Sequence, residues 1–179
     1  SIWDWACLAL RPIYATTPIE LVQLSFAKVK PIAPAAGALF YKNLFEIAPE
    51  LRPLFKADVS DQGRKLMDML AIAVGMLRQP QRLEEAVAQL GTRRAAYGVQ
   101  EAHFKPVGEA LIRTLEQGLG DDFTPQVKMA WLSMYKEVVE IMGQRLRVAH
   151  ERKRVAQLKR ELATAQKKLP WWKRLFSSK

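Results

Sequence analysis

The feature that most constrains the fold is a proline-free stretch that extends from residue 126 to residue 169. Thr124 and Pro125 precede it, and this pair is typical of the first turn of a helix. A helix from Pro125 to Lys168 would measure about 65 Å at 1.5 Å per residue, which exceeds the width of a compact domain of this size. We therefore predict that the C-terminal half of this helix projects from the domain.

Signals for helix starts and stops alternate along the rest of the chain. Thr17-Pro18-Ile19-Glu20 has the pattern of a capping box with proline at the first helical position, and residues 58–61 can cap another helix. The predicted stops are Pro31, Pro80, Gly98 and the pair Gly118 and Gly120. Apolar residues recur between these signals at helical spacing, and no segment shows the sustained alternation typical of strands. The sequence therefore predicts an all-α fold.

Charge divides the chain into a neutral domain and a basic tail. Residues 144–179 contain 12 Lys or Arg residues and only two acidic residues, which accounts for the whole net charge of +10. We predict three segments: an amphipathic aromatic segment over residues 1–16 with Trp3 and Trp5, a domain over residues 17–143, and a basic helical tail over residues 144–179.

Several function classes are excluded by composition. One cysteine and two histidines cannot supply a disulfide framework, a Cys-rich zinc site or a Ser-His-Asp arrangement. The glycines at 118 and 120 are a helix stop and not a phosphate-binding loop. We therefore expect a protein that is not an enzyme.

The N-terminal apolar run is too short to span a bilayer, and Asp4 argues against a secretory signal. No other stretch is long and apolar enough to cross a membrane. We expect a protein that is cytoplasmic or peripheral at a membrane surface, and not secreted.

Six motifs together resemble one known family. They are residues 40–45 (Phe-Tyr-Lys-Asn-Leu-Phe), 49–55 (Pro-Glu-Leu-Arg-Pro-Leu-Phe), 61–66 (Asp-Gln-Gly-Arg-Lys-Leu), 90–99 (Leu-Gly-Thr-Arg-Arg-Ala-Ala-Tyr-Gly-Val), 104–109 (Phe-Lys-Pro-Val-Gly-Glu) and 123–135, from Phe123 through Trp131 to Tyr135. In order and spacing they resemble bacterial-type globins and neuroglobins over about residues 17–142. The resemblance implies a globin-like sandwich of six to eight helices that encloses a haem crevice.

The resemblance also implies roles for individual residues. Tyr41 and Gln62 lie where a Tyr/Gln pair of many bacterial globins donates hydrogen bonds to iron-bound dioxygen. Leu66 lies at the apolar distal wall, and Phe55 matches the phenylalanine that packs on the porphyrin edge. The alternative is that these residues serve only the fold, since apolar stripes are buried in any helical bundle.

The chain departs from the family at the proximal position, where the iron-binding histidine is replaced by Arg94. A guanidinium group is permanently protonated and offers no lone pair to iron. Two alternatives remain open: Arg94 turns outward while Tyr41 holds iron as a phenolate, or the crevice holds no haem. In the second case adaptable methionines fill the space, and the candidates are Met67, Met69, Met76, Met129, Met134 and Met142. We expect no cofactor, with haem b as the alternative.

The tail combines basic and aromatic side chains. We predict that it contacts a protein complex or an anionic membrane surface, and that nucleic acid is a less favoured partner. The predicted contact residues, together with Trp3 and Trp5, are Lys167, Lys168, Trp171, Trp172, Lys173, Arg174 and Phe176. Val148, Val155 and Leu162 also recur every seven residues, which predicts weak coiled-coil pairing, and the alternative is a solvated charged helix.

These observations favour a derived, non-enzymatic globin-like protein that lacks functional haem. It would act as a scaffold or assembly subunit attached through its tail to a larger, membrane-bound or soluble complex. The alternative is a haem-binding globin that binds dioxygen or another diatomic gas for storage or sensing.

Overall fold

The computed structural model describes residues 17–55, 58–96 and 100–174. For residues 90–96 and for Arg174 it describes the backbone alone. These ranges contain no strand, so the predicted all-α fold is confirmed. The helices are α1 (Pro18–Val29), α2 (Ala33–Ile47), α3 (Val59–Gly75), α4 (Pro80–Ala96), α5 (Phe104–Leu119), α6 (Pro125–Lys167) and α7 (Trp171–Arg174). Short 3-10 turns lie at Lys30–Ile32, Pro49–Leu54, Glu101–His103 and Gly120–Asp122.

The predicted capping signals make the expected hydrogen bonds. The Thr17 hydroxyl accepts from the Glu20 backbone N–H at 3.3 Å, and the Glu20 carboxylate accepts from the Thr17 N–H at 3.2 Å. Thr124 caps α6 by accepting from the Val127 N–H at 3.3 Å. Gly120 follows α5 with a φ of 55°, a conformation that favours glycine. Local sequence therefore fixes these helix ends.

The helices form two packed layers around one core. Helix α2 lies against α3 and α5, while α6 lies against α1 and α4. Trp131 of α6 is fully buried, and its indole N–H donates to the Ser25 hydroxyl of α1 at 2.8 Å. Asn43 of α2 donates through its amide to the Thr114 hydroxyl of α5 at 3.1 Å. Because buried polar groups are costly when unpaired, these bonds fix how α6 packs on α1 and how α2 packs on α5.

Helices α2 and α3 cross at a contact between two glycines. A Cβ atom added to Gly37 would lie 2.6 Å from the Gly63 carbonyl oxygen, and one added to Gly63 would lie 2.9 Å from the Gly37 carbonyl carbon. Real Cβ atoms do not approach backbone atoms this closely. Only glycine at both positions permits this crossing.

Helix α6 extends beyond the domain, as predicted. Leu146 is its last fully buried residue and Ala149 is half-buried, whereas every residue from 150 to 167 is exposed. These 18 residues correspond to about 27 Å of helix. The predicted segment boundaries stay predictions, and the packed part of α6 continues past residue 143 to Ala149.

We predict that Gly63→Ala lowers the free energy of unfolding by about 1–3 kcal/mol, because the added methyl group meets backbone that cannot rotate away. Gly75→Ala is the matched control, since a Cβ there meets nothing within 4 Å. The control should leave stability unchanged or raise it by up to about 1 kcal/mol. Urea unfolding followed by far-UV circular dichroism measures both variants. Equal stability of Gly63→Ala and the wild type would contradict the crossing geometry.

Candidate functional site

An apolar cavity of about 200 Å³ lies between the two helical layers. It is lined by α2, the Pro49–Leu54 turn, α3, α4, α5 and α6. Three residues predicted as site residues line it together: Tyr41, Phe55 and Leu66. Its wall also includes Leu70, Val87, His103, Val107, Leu111, Met134 and Val139. The structure therefore brings residues from five helices, α2 to α6, to one apolar space.

Aromatic rings hold the Tyr41 side of the cavity. The Tyr41 ring centroid lies 5.1 Å from that of Phe40, 5.2 Å from that of Phe55 and 5.9 Å from that of Phe45. The contacts with Phe40 and Phe55 are edge-to-face, the arrangement that aromatic quadrupoles favour. Arg52 lies over the Phe45 ring at 5.1 Å. This packing fixes Phe55, which follows the Pro49–Leu54 turn, against α2.

The other predicted site residues lie elsewhere. Gln62 is half-buried in the first turn of α3 and does not line the cavity that Tyr41 lines. Arg94 belongs to the backbone of α4, and its side chain lies outside the described part of the structure. Its place at the proximal position therefore stays a prediction from the sequence. Trp3, Trp5 and Phe176 lie outside the described residues.

His103 lines the cavity, although the sequence suggested no role for it. Its Nδ1 accepts a hydrogen bond from the Gln100 backbone N–H at 3.1 Å. This bond assigns the proton of the neutral ring to Nε2. His103 is therefore held as a hydrogen-bond donor, and binding a metal through Nε2 would require loss of the bond to Gln100. The feature of the sequence that could have indicated this role is the position of His103 immediately before α5.

Tyr135 packs against the start of α5. Its hydroxyl donates to the Phe104 carbonyl at 2.5 Å, and a Cβ atom on Gly108 would lie 2.5 Å from the Tyr135 ring. Gly108 thus allows the ring to approach the helix. Burial raises the pKa of Tyr135 above its ordinary value, because the charged phenolate loses hydration. The group remains a neutral donor at physiological pH.

The side chains at the cavity that carry atoms able to bind iron are His103, Tyr41, Tyr135, Met69, Met134 and Met142. His103 accepts from the Gln100 N–H through Nδ1, and Tyr135 is a neutral phenol that donates to a carbonyl. Residues 17–55, 58–96 and 100–174 contain no group of three or more His, Cys, Asp or Glu side chains that could hold a metal ion. The wall of the cavity is apolar, and the side chain of Arg94, at the proximal position of the family, lies outside the described part of the structure.

The projecting part of α6 and the short α7 form a second candidate surface. Both tryptophans that follow Pro170 are exposed, Trp171 by 70% and Trp172 by 50%. The Lys173 ammonium lies 5.1 Å from the centroid of the Trp172 ring. Lys167 and Lys168 are exposed beside them.

In the described ranges, no helix is apolar over enough length to traverse a bilayer.

Most of the helical domain is similar in sequence to one family of known proteins. The family model described as Globin matches residues 38–142. Neuroglobin-1 of Oncorhynchus mykiss is 30% identical over 138 residues, which cover 69% of this chain and 87% of that protein. Neuroglobin of Dissostichus mawsoni is 30% identical over 139 residues, which cover 70% and 87%. Neuroglobin of Tetraodon nigroviridis is 31% identical over 121 residues, which cover 60% and 76%.

We predict that Tyr135→Phe weakens the dependence of stability on alkaline pH. Because the folded-state pKa is raised, the neutral phenol stabilises the fold fully below pH ~10, the unfolded-state value, and this stability is lost as pH rises above it. Between pH ~10 and ~11 the wild type should lose up to about 1.4 kcal/mol more than the variant. Urea unfolding across this range measures the difference, and parallel curves would contradict the assignment.

Proposed function

Since this chain belongs to the globin family, we propose that it is a derived globin whose domain serves as a scaffold or assembly subunit. In this proposal the domain performs no catalysis and holds no functional haem. The projecting end of the chain attaches it to a larger assembly. The observation that carries the proposal is the exposed, basic extension of α6, which lies beyond the region matched by the family model.

Charge and exposure in the extension support an attachment role. All of the net charge of +10 belongs to residues 144–179, so the extension attracts anionic surfaces while the domain does not. Apolar side chains along the extension are exposed, including Leu162 and Trp171. Exposed apolar groups on a segment that has no core to enter are typical of interaction sites.

The chemistry of the cavity supports the absence of functional haem. A histidine-ligated iron needs an imidazole nitrogen with a lone pair directed at the metal. The sequence places Arg94 where that histidine is expected, and the Nδ1 of His103 already accepts from the Gln100 N–H. Neither group supplies the missing ligand.

A second candidate function is a haem globin that binds dioxygen or another diatomic gas. The similarity to neuroglobins over most of the domain favours it. The cavity also brings together Tyr41, Phe55 and Leu66, as expected of a globin crevice. In this alternative a ligand other than histidine would hold the iron.

We predict that attachment is separable from the fold. A chain truncated after His150 keeps Leu146 and Ala149, so its free energy of unfolding should lie within about 0.5 kcal/mol of the wild type. The same truncation should abolish co-sedimentation with the native complex or membrane fraction. Added salt should weaken binding of the full chain, because the Debye length falls from ~10 Å at 0.1 M to ~3 Å at 1 M. Equal recovery of truncated and full-length protein would refute the attachment role.

Haem binding provides the second test. The wild type should show no stoichiometric complex in an absorbance titration with hemin, whereas Arg94→His should bind at least about tenfold more tightly, because it restores an imidazole ligand. Arg93→His is the matched control and should give no gain. A sharp one-to-one Soret complex of the wild type would favour the gas-binding alternative. An equal gain in both variants would contradict the assignment of Arg94 to the proximal position.

A further inference from the structure

The projecting part of α6 carries a narrow apolar stripe, here called the seam. Its first row contains Val148, Val155 and Leu162, and Leu169 continues the seven-residue spacing just after α6 ends at Lys167. Its second row contains Glu151, Leu158 and Ala165. The valine and leucine side chains of the seam are 36–64% exposed. A seven-residue repeat in two adjoining rows is the pattern of a coiled-coil surface.

The seam is exposed because α6 projects beyond the globin domain. Leu146 is the last fully buried residue of α6, whereas every residue from 150 to 167 is exposed. From Val155 to Ala165 the seam extends for about 15 Å. A helix can therefore cover this part of the seam without meeting the domain.

The width of the seam favours a helix over a lipid surface. Helices that lie in a membrane interface present a broad apolar face with a strong contrast to the polar face. Here only two rows are apolar, and Glu151 interrupts the second row. A strict two-row stripe is the narrower surface that one facing helix covers.

The charges beside the seam disfavour pairing with a second copy. Arg152 and Lys159 flank one side, while Arg154 and Lys168 flank the other, together with Glu161. In a parallel pair of identical helices, Arg154 of one copy would face Lys159 of the other, since these positions pair across the interface of a coiled coil. Two copies of Glu151 would also meet within the apolar rows. Like charges in these positions destabilise the pair.

An antiparallel pair of copies encounters a similar conflict. If Val155 lies opposite Leu158 of the other copy, Arg152 faces Lys159 and Glu151 faces Leu162. A carboxylate buried against leucine without a partner is costly. In this register Arg154 faces Glu161 favourably, but the Arg152–Lys159 repulsion and the carboxylate within the apolar rows oppose the pair.

We propose that the seam binds an amphipathic helix of another protein that carries Glu or Asp on both flanks of its own apolar rows. This inference rests on the proposed attachment function and specifies its partner. Acidic flanks turn the contacts of Arg152, Arg154 and Lys159 into attractions, and a lysine or other polar residue opposite Glu151 satisfies the carboxylate. Charge complementarity therefore selects an acidic helix over a copy of this chain.

The test uses the full-length chain and synthetic peptides of about four heptads. The acidic peptide has Ile and Leu in its seam, Glu on both flanks and Lys opposite Glu151. The matched peptide has Lys on both flanks. Isothermal titration calorimetry should show one-to-one binding of the acidic peptide and no binding of the basic one. Binding of both peptides with equal affinity would overturn the charge argument.

Variants of α6 locate the binding surface. Leu162→Asp should lower the affinity for the acidic peptide at least about tenfold, because a charge enters the apolar row. Thr164→Asp is the matched control on the opposite face, and it should lower the affinity less than about twofold. Equal loss in both variants would show general electrostatic attraction and would overturn the seam as the site.

Arg154→Glu tests the selection against self-pairing. It converts the like-charge contact between Arg154 and Lys159 of a parallel pair into an attraction while the Glu151 pair remains, so this variant should self-associate more strongly than the wild type in sedimentation velocity. Arg160→Glu makes the same charge change outside the seam and should stay monomeric, as should the wild type. A wild-type dimer that Leu162→Asp dissociates would overturn the proposal in favour of a second copy.

Vesicles of phosphatidylserine and phosphatidylcholine test the lipid alternative. Binding to these vesicles without binding to the acidic peptide would overturn the helical partner while leaving the attachment function intact. If instead the chain truncated after His150 co-sediments as well as the full chain, the attachment function itself fails. The two failures are therefore distinguishable.

Discussion

The close crossing of α2 and α3 at Gly37 and Gly63 is the constraint on which the rest of the domain depends. Because no side chain separates the two backbones, the helices approach until their main-chain atoms meet. Tyr41 follows Gly37 by about one helical turn, and Leu66 follows Gly63 by nearly one turn. Both side chains consequently reach the same cavity. The position of the crossing thus determines which residues line the cavity.

Helix α6 links the domain to the extension through its periodicity. Its buried residues follow the 3.6-residue period of a packed helix and include Trp131 and Leu146. From Val148 onward the apolar residues repeat every seven positions and are exposed, because the helix has passed the edge of the domain. One continuous helix can therefore pack on the domain with its first part and offer its projecting part to a partner. No hinge is required between the two parts.

Much of the fold could be predicted because the helix ends are encoded locally. Thr17, Asp58 and Thr124 cap the helices that they precede, and Gly120 adopts the positive φ expected of a helix stop. The length of α6 also followed from the absence of proline. Such features depend on neighbours in the sequence, and so they are readable without tertiary contacts.

The cavity was less predictable, because its geometry depends on contacts between distant residues. The role of His103 depends on the conformation of one turn, which brings Nδ1 to the Gln100 N–H. Gln62 was grouped with Tyr41, yet it lies about one turn before Leu66 and outside the cavity that Leu66 lines. Sequence spacing placed Gln62 and Leu66 on one face of α3 but could not show where along that face the cavity begins.

We have proposed that this globin functions through attachment and not through haem iron. Native mass spectrometry of the full chain, purified without denaturant from cells supplied with haem precursor, tests this claim most directly. The account predicts the mass of the polypeptide without haem. A dominant species with one haem per chain would contradict it.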